Sequence, residues 1–302
     1  MVVFGVLEWL PGNAAQVILG ETATPESLAA MEEKLGLNQP ALSRYAAWVG
    51  GLLQGQSGIS ISYDTPTAEL MMERMHVTLP LAIMAMSITI LVALCLGLYA
   101  ASKQNSAGDV GVMTLSQLGL AIPNFWLAIL LILLFAVHLQ WVSAGGFPGW
   151  SVDDGGGFWA GIAALILPAM ALAAVQTAIL TRVTRSAVIE SMSEDYVRTA
   201  RAKGLSKQQV LWKHVLRNAM IPVVTVMGLQ FGNLITSAIV IENVFVLPGI
   251  GRLIFQAIAN RDLIVVRDVV MLLSAMVILI NFFIDVLYAL IDPRLKTGAA
   301  AL

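Results

Sequence analysis

Residues 193–218 read SEDYVRTARAKGLSKQQVLWKHVLRN, a run that is too polar to cross a bilayer and too periodic to be a loose loop. The run predicts a first helix that ends near Lys203, followed by Gly204, which can adopt a positive φ just after a helix end. Ser206 and Gln209 have the spacing of a capping box, so a second helix is predicted to begin there. We call residues 193–218 the helix–glycine–helix segment.

The rest of the chain is far less polar than this segment. Of the 302 residues 58% are hydrophobic and 12% are charged, whereas a soluble domain has about 25% charged residues. The mean hydropathy is +0.82. Crossing a bilayer as a helix takes about 20 apolar residues, and stretches of that length lie at 77–102, 110–152, 155–181, 218–241 and 269–291. The sequence therefore predicts an all-α, polytopic membrane helix bundle with five clear spans, preceded by a short or truncated first span at 1–10.

The positive charges favour one side of the predicted membrane. Eleven of the 17 Lys and Arg residues lie within 182–217, at Lys103 and in the C-terminal tail, which the alternation of spans places on one side. An excess of Lys and Arg near the ends of spans marks the cytoplasmic side. Residues 182–217 are therefore predicted to be cytoplasmic and residues 11–75 external. The net charge of −2 implies no general attraction to nucleic acid.

The motifs along the chain resemble those of a known family. Residues 198–204, RTARAKG, resemble the cytoplasmic "EAA" loop of binding-protein-dependent ATP-binding-cassette permeases, in the form used by the dipeptide, oligopeptide and nickel branch. Arg198-Thr199 stands where the wider family has Glu-Ala. Further matches follow the family order at 122–126 (IPNFW), 216–222 (LRNAMIP), 242–251 (ENVFVLPGIG), 260–262 (NRD) and 281–294 (NFFIDVLYALIDPR).

The resemblance implies the type I ABC importer permease fold and assigns regions to it. These are a partial first transmembrane span (1–10), an external segment (11–75), a permease domain (76–291) with a cytoplasmic coupling loop (182–217), and a cytoplasmic tail (292–302). The residues expected to couple the chain to an ATPase are Tyr196, Arg198, Thr199, Ala200, Ala202, Lys203, Gly204 and Leu205. Structural or binding-protein contacts are expected at Glu242, Pro248, Gly249, Gly251 and Asp285.

The same resemblance implies a permease subunit that is not itself an enzyme. The expected partners are a paralogous permease subunit forming a heterodimer, two ATP-binding-cassette ATPase subunits, and an external solute-binding protein. ATP and Mg would be bound by the ATPase subunits, because this chain has no Gly-x-x-x-x-Gly-Lys-Ser/Thr motif. His76, His138 and His214 are scattered, so neither a metal site nor a cofactor is predicted. Peptides, nickel complexes and sugars all remain open as substrates.

The residues alone leave other functions open. A secondary transporter or channel would need several ionisable groups along its path, and the spans offer Asp285. A structural or respiratory membrane subunit would leave the helix–glycine–helix segment unexplained. A basic amphipathic segment can also rest on anionic lipid, although the small residues Ala200, Ala202 and Gly204 favour the close approach of a protein. For Asp285, proton coupling and pairing with Arg294 are both open.

Overall fold

The computed structural model of the protein describes residues 4–5, 14–20, 23–34 and 36–291. Within these ranges every regular element is a helix, as predicted. Most of the predicted first span and all of the predicted tail, 292–302, lie outside the described residues. The helices are α1 (Ala14–Leu19), α2 (Pro25–Lys34), α3 (Ala41–Leu53), α4 (Thr67–Ser102), α5 (Ala107–Ala121), α6 (Asn124–Leu131, continued by π-helical turns Ile132–His138), α7 (Phe158–Ser193), α8 (Asp195–Ala202), α9 (Lys207–Val210, continued by π-helical turns Leu211–Val215), α10 (Leu216–Val244), α11 (Ile250–Ala259) and α12 (Leu263–Ile291).

Four runs of helix are long and apolar enough to cross a membrane. They are α4, α7, the continuous run Lys207–Val244 and α12 over Leu263–Val286. The predicted stretch 110–152 is not a single helix, because α5 and the helix Asn124–His138 meet at an angle of 102°, and counting that pair as one span gives five. Ile122 is extended (φ −92°, ψ 121°) at the bend, since a residue before proline is disfavoured in the helical region.

The chain divides into two compact units, Met1–Thr78 with Pro248–Met276, and Leu79–Leu247 with Val277–Leu302. In the first unit, the fully buried Asp262 holds residues 60–62, which precede α4, in place. Its carboxylate accepts hydrogen bonds from Ser60 Oγ (2.6 Å) and Ser62 N–H (3.0 Å). It also caps the start of α12 by accepting from Val265 N–H (3.2 Å).

A second buried carboxylate, Asp268, lies in α12 of the same unit, six residues after Asp262. It accepts hydrogen bonds from Thr67 Oγ1 (2.6 Å), Trp48 Nε1 (3.1 Å) and Arg267 Nε (3.0 Å). The guanidinium of Arg267 lies 4.5 Å from the centre of the Trp48 ring. Because a buried carboxylate is stable only when it is paired and hydrogen-bonded, these contacts fix the three elements to one another.

In the second unit α7 is the central helix, in contact with α5, α6 and α10. α4 approaches α7 at Gly97, where an added β-carbon would lie 2.6 Å from Thr184 Cβ. Ala93 and Ala101, one turn to either side of Gly97, are buried as well. Small residues at four-residue spacing let spanning helices pack closely, which matters because lipid provides no hydrophobic force that would drive helices together.

Candidate functional site

Local hydrogen bonds close the turn at the centre of the helix–glycine–helix segment. Gly204 has φ +84°. The N–H groups of Gly204 and Leu205 donate to the carbonyls of Arg201 (3.0 Å) and Ala200 (3.4 Å), which is a Schellman motif. The predicted end of the first helix and the predicted glycine conformation are therefore confirmed.

The second helix begins with both bonds of a capping box. Ser206 Oγ accepts a hydrogen bond from Gln209 N–H (3.3 Å), and Gln209 Oε1 accepts one from Ser206 N–H (3.0 Å). This confirms the prediction made from the spacing of the two residues. Every bond that shapes the turn joins residues close in sequence, so the angle between α8 and α9 is fixed locally.

Ser191, near the end of α7, ties both halves of the segment to the spans. Its hydroxyl oxygen is hydrogen-bonded to the hydroxyl of Tyr196 in α8 and donates to the carbonyl of Val215 (3.2 Å). Val215 is the last residue of the π-helical turns that lead into α10. One buried hydroxyl thus joins α7, α8 and the start of α10.

An apolar cluster lies beneath the segment. Val197 and Ala200 of α8 and Val210 and Val215 beyond the turn are each 5% exposed or less. They pack with buried residues of α4, α7 and α10, namely Ala93, Ala101, Leu180, Ala187, Val188, Ala219 and Val223. An isolated helix as short as α8 is unstable in water, so this packing determines its position. Burying each valine side chain contributes about 1.5–3 kcal/mol.

The predicted coupling residues divide between this base and the surface. Ala200 is buried, and Tyr196 and Leu205 are half-buried, so these three support the segment from within. The sequence argument that Ala200 admits a partner is therefore wrong for this residue, because its methyl group packs against the chain itself. The other five are exposed and, together with the exposed Arg201 and Lys207, form what we call the cationic face: Arg198, Thr199, Arg201, Ala202, Lys203, Gly204 and Lys207.

The one ion pair described at the cationic face is weak, so it neutralises little of the positive charge there. Arg198 forms an ion pair with Asp195 at 3.3 Å, and the two side chains are 79% and 94% exposed. An ion pair with this exposure contributes little, because water and salt screen it. Beyond the turn the exposed Trp212 and Lys213 have the character of a membrane-interface anchor, so the lipid-binding features lie in the second half of the segment.

A small cavity opens at the edge of the cationic face. It has a volume of about 170 Å³ and is lined by Met192, Val210, Leu211 and Val215, with Arg201 and Lys207 also at its wall. The apolar floor and basic border would fit one apolar side chain from a partner whose surrounding surface is acidic.

A buried ion pair fixes α5 to α7 above the segment. Arg185 donates from Nε to Asp109 Oδ1 (2.6 Å) and from Nη2 to Asp109 Oδ2 (2.7 Å). Asp109 also accepts a hydrogen bond from Asn105 N–H (2.9 Å). The side chains are 4% exposed for Asp109 and 22% exposed for Arg185, and two-pronged arginine–carboxylate pairs of this kind are both strong and directional. Sequence reasoning missed the pair, because 76 residues separate its members and no local pattern joins them.

The remaining predicted site residues are mostly internal. Glu242 has no exposed surface and Gly249 and Gly251 are buried, which fits the structural role that had been left open for them. Pro248 is half-buried. Asp285 is exposed, and both interpretations of it stay open because Arg294 lies outside the described residues.

Comparison with known proteins assigns most of the chain to one group. A family model described as a binding-protein-dependent transport system inner membrane component matches residues 93–297, and the model for the N-terminal part of such components matches residues 1–82. The dipeptide transport system permease protein DppB of Alkalihalophilus pseudofirmus is 40% identical, with 98% of this chain and 94% of that protein covered. The di/tripeptide transport system permease protein DppB of Pseudomonas aeruginosa is 38% identical, with 98% and 93% covered.

Solved structures share the fold at lower identity. The MetNI methionine ABC transporter in an inward-facing conformation matches with a TM-score of 0.62 and 18% identity, covering 74% of this chain and 97% of that one. An amino acid ABC transporter solved with histidines matches with a TM-score of 0.52 and 14% identity, covering 73% and 94%. These matches confirm the predicted importer permease fold.

Removing the buried charge pair should loosen the base of the segment. We expect Asp109→Asn to lower the Tm of the purified protein by roughly 5 °C, because a partly buried guanidinium loses its counterion. The matched control Asp195→Asn removes the exposed pair with Arg198 and should shift Tm by less than about 1 °C. Thermal unfolding in detergent measures both, and equal shifts in the two variants would contradict the assignment.

Proposed function

The chain belongs to the family of binding-protein-dependent transport system inner membrane components, and from that premise we propose that it forms, with a paralogous permease subunit, the translocation path for a short peptide or peptide-like solute. It is a transmembrane permease subunit of an ATP-driven importer in the inner membrane, and separate subunits hydrolyse the ATP. The peptide assignment is supported by the relatives named dipeptide and di/tripeptide permeases, which the chain matches over 98% of its length.

The observation that carries the proposal is the exposed cationic face on a rigidly based segment. Its charged and small side chains point away from the chain, while Val197, Ala200 and the bond of Ser191 hold the base. We propose that an ATPase subunit docks on this face and inserts an apolar side chain into the adjoining cavity of about 170 Å³. No ATP, Mg or other cofactor is assigned to the chain itself.

Rigidity of the segment is what makes coupling physically reasonable. When nucleotide binding closes the ATPase subunits, a docked rigid body passes their motion to the spans instead of absorbing it. Shifting a two-state equilibrium from 1:99 to 99:1 takes about 5.5 kcal/mol of differential binding. The Schellman motif, the capping box and the hydrogen bond between Ser191 and Val215 all resist deformation of the helix–glycine–helix segment.

The remaining parts of the assembly follow the charge distribution and the family. Residues 182–217 would face the cytoplasm, where the ATPase subunits are, and a solute-binding protein would deliver substrate from the opposite side.

Disturbing the turn should uncouple transport without preventing insertion. Gly204→Val places a β-branched residue at φ +84°, although the added β-carbon would have no described atom within 4 Å apart from residues 203–205. We expect uptake of L-alanyl-L-alanine to fall at least about tenfold, because valine strains the turn. The variant should still insert into the membrane, but less of the ATPase subunit should co-purify with it.

Two controls separate the turn from a general effect of substitution. Gly204→Asn should keep most of the uptake, because asparagine tolerates positive φ. Gly111→Val, on α5 with open space around its β-carbon, should transport normally. Normal uptake by Gly204→Val would contradict the coupling assignment.

The proposed orientation is tested with a pair of matched cysteines. In a Cys95→Ala background, Gln208→Cys in α9 and Gln56→Cys just after the end of α3 are both at exposed positions. A membrane-impermeant thiol reagent added to intact cells should label Gln56→Cys alone, and in inverted vesicles it should label Gln208→Cys. The reverse pattern would overturn the topology.

A further inference from the structure

One face of α10 is left uncovered along most of its length. From Pro222 onward, the exposed positions of α10 are Pro222, Leu229, Asn233, Thr236 and Val240. Their spacings of seven, four, three and four residues place all five on one narrow strip of a helix with 3.6 residues per turn. We call this set the α10 stripe.

The middle of the α10 stripe is polar, which is unusual for a surface that faces lipid. Asn233 and Thr236 lie inside the charge-free stretch 218–241. Thr236 Oγ1 donates to Gly232 O (3.4 Å), and Asn233 Nδ2 donates to Gln230 Oε1 (3.3 Å). The latter bond uses one of the two donors of the amide, whose carbonyl oxygen also accepts hydrogen bonds. Hydrocarbon cannot satisfy the exposed remainder of this side chain.

α12 provides a comparison at the same level of the bundle. Gly232 and Gly228 of α10 lie against Val277 and Ile284 of α12, so residue 233 is level with the region around Ile278. The exposed positions of α12 over 278–283 are all apolar: Ile278, Leu279, Phe282 and Phe283. That face has the composition expected next to lipid, and the α10 stripe does not.

The stripe ends at a charged cleft. Pro222, its last member on that side, lines an open cleft of about 450 Å³ together with Arg182, Ser186 and Glu190 of α7. This volume lies within the usual range of small-molecule sites, about 300–1,000 Å³. The three polar residues of α7 are spaced four apart and exposed, so they form one face just beyond the apolar part of that helix.

The charges of the cleft are available to a ligand. Among the described residues no ion pair engages Arg182 or Glu190, whereas the neighbouring Arg185 is held by Asp109. Arg182 and Glu190 are eight residues apart, which corresponds to about 12 Å along a helix. A face between two permease subunits would be depleted of charge at its core, so the cleft favours contact with water.

We propose that the α10 stripe and the Arg182–Glu190 cleft form one continuous wall of the solute path and that they receive short peptides in their zwitterionic form. In the cleft, Arg182 pairs with the peptide carboxylate and Glu190 with its ammonium group. Asn233, about 16 Å further along α10 than Pro222, bonds to the peptide backbone at a separate point of the path. This inference rests on the proposed transport function and goes further by naming the residues and the charge state of the solute.

Water access to the stripe is the first test. In a Cys95→Ala background, Asn233→Cys is compared with Ile278→Cys, whose parent residue is 69% exposed on the apolar face of α12. A charged, membrane-impermeant methanethiosulfonate is applied to vesicles that contain the whole importer. Because the thiolate forms only in water, Asn233→Cys should react at least about tenfold faster. Added L-alanyl-L-alanine with the binding protein should slow its reaction.

Two outcomes would overturn the wall assignment. One is an equally slow reaction of both cysteines in vesicles that retain uptake. The other is a disulfide between Asn233→Cys and a cysteine of the partner permease without labelling by the reagent, which would make the stripe a subunit contact. Retained uptake in the same vesicles keeps either result separate from a failure of the transport function.

The charges of the cleft are tested by conservative rescue. Arg182→Gln should lower the uptake of L-alanyl-L-alanine about tenfold, since a charge-assisted hydrogen bond is lost. Arg182→Lys should restore most of it. Lys103→Gln, the same loss of charge at an exposed position outside the cleft, should have no effect. Membrane levels and co-purification with the ATPase should be unchanged in all three, and equal uptake by Arg182→Gln and the wild type would overturn the proposal.

Discussion

Lipid offers no hydrogen-bonding partner to a polar group, and this constraint explains where the polar side chains of the spanning helices lie. Several hydroxyls on these helices bond to the backbone of their own helix, as Ser87 Oγ does to Ile83 O (2.8 Å) and Thr225 Oγ1 to Ile221 O (3.2 Å). An exposed amide such as that of Asn233 is not satisfied in this way by a single bond to Gln230. Its position therefore carries information about what lies outside the helix.

The same constraint decides how the helices hold together. With no hydrophobic force between spans, contact depends on close approach and on paired polar groups. In the second unit the close approach is made at Gly97 against Thr184 and at Gly228 against Ile284. The polar pairing is made by Asp109 and Arg185. Thr184 and Arg185 lie within about two turns of Ser191 on α7, so the base of the helix–glycine–helix segment adjoins the place where α4 and α5 are fixed to α7.

Local chemistry could be predicted from the sequence, and long-range packing could not. Gly204, Ser206 and Gln209 act on residues at most five positions away, so their spacing was sufficient to predict the turn. Prolines were ambiguous, because Pro80, Pro168 and Pro222 lie within helices while the chain bends at Pro123. The burial of Ala200 and the pair of Asp109 with Arg185 depend on helices that are distant in sequence. The sequence was therefore sufficient to identify the segment that contains the coupling residues, but not to predict which of those residues, such as Ala200, are buried.

One helix connects the proposed ATPase contact with the proposed solute path. The run Lys207–Val244 is continuous, with its first turn beside Gly204 and the α10 stripe further along. Between the two lie the π-helical turns Leu211–Val215, a wider geometry that is frequent at functional sites. Asn233 is about 39 Å along the helix from Lys207, so a rotation imposed at the docking end reaches the stripe through continuous backbone. Because Ser191 of α7 donates a hydrogen bond to Val215 O (3.2 Å), we expect a displacement of that end of the helix to be passed to α7 and its charged cleft. The proposed ATPase contact and the proposed solute path therefore lie on the same two connected helices, α7 and the run Lys207–Val244.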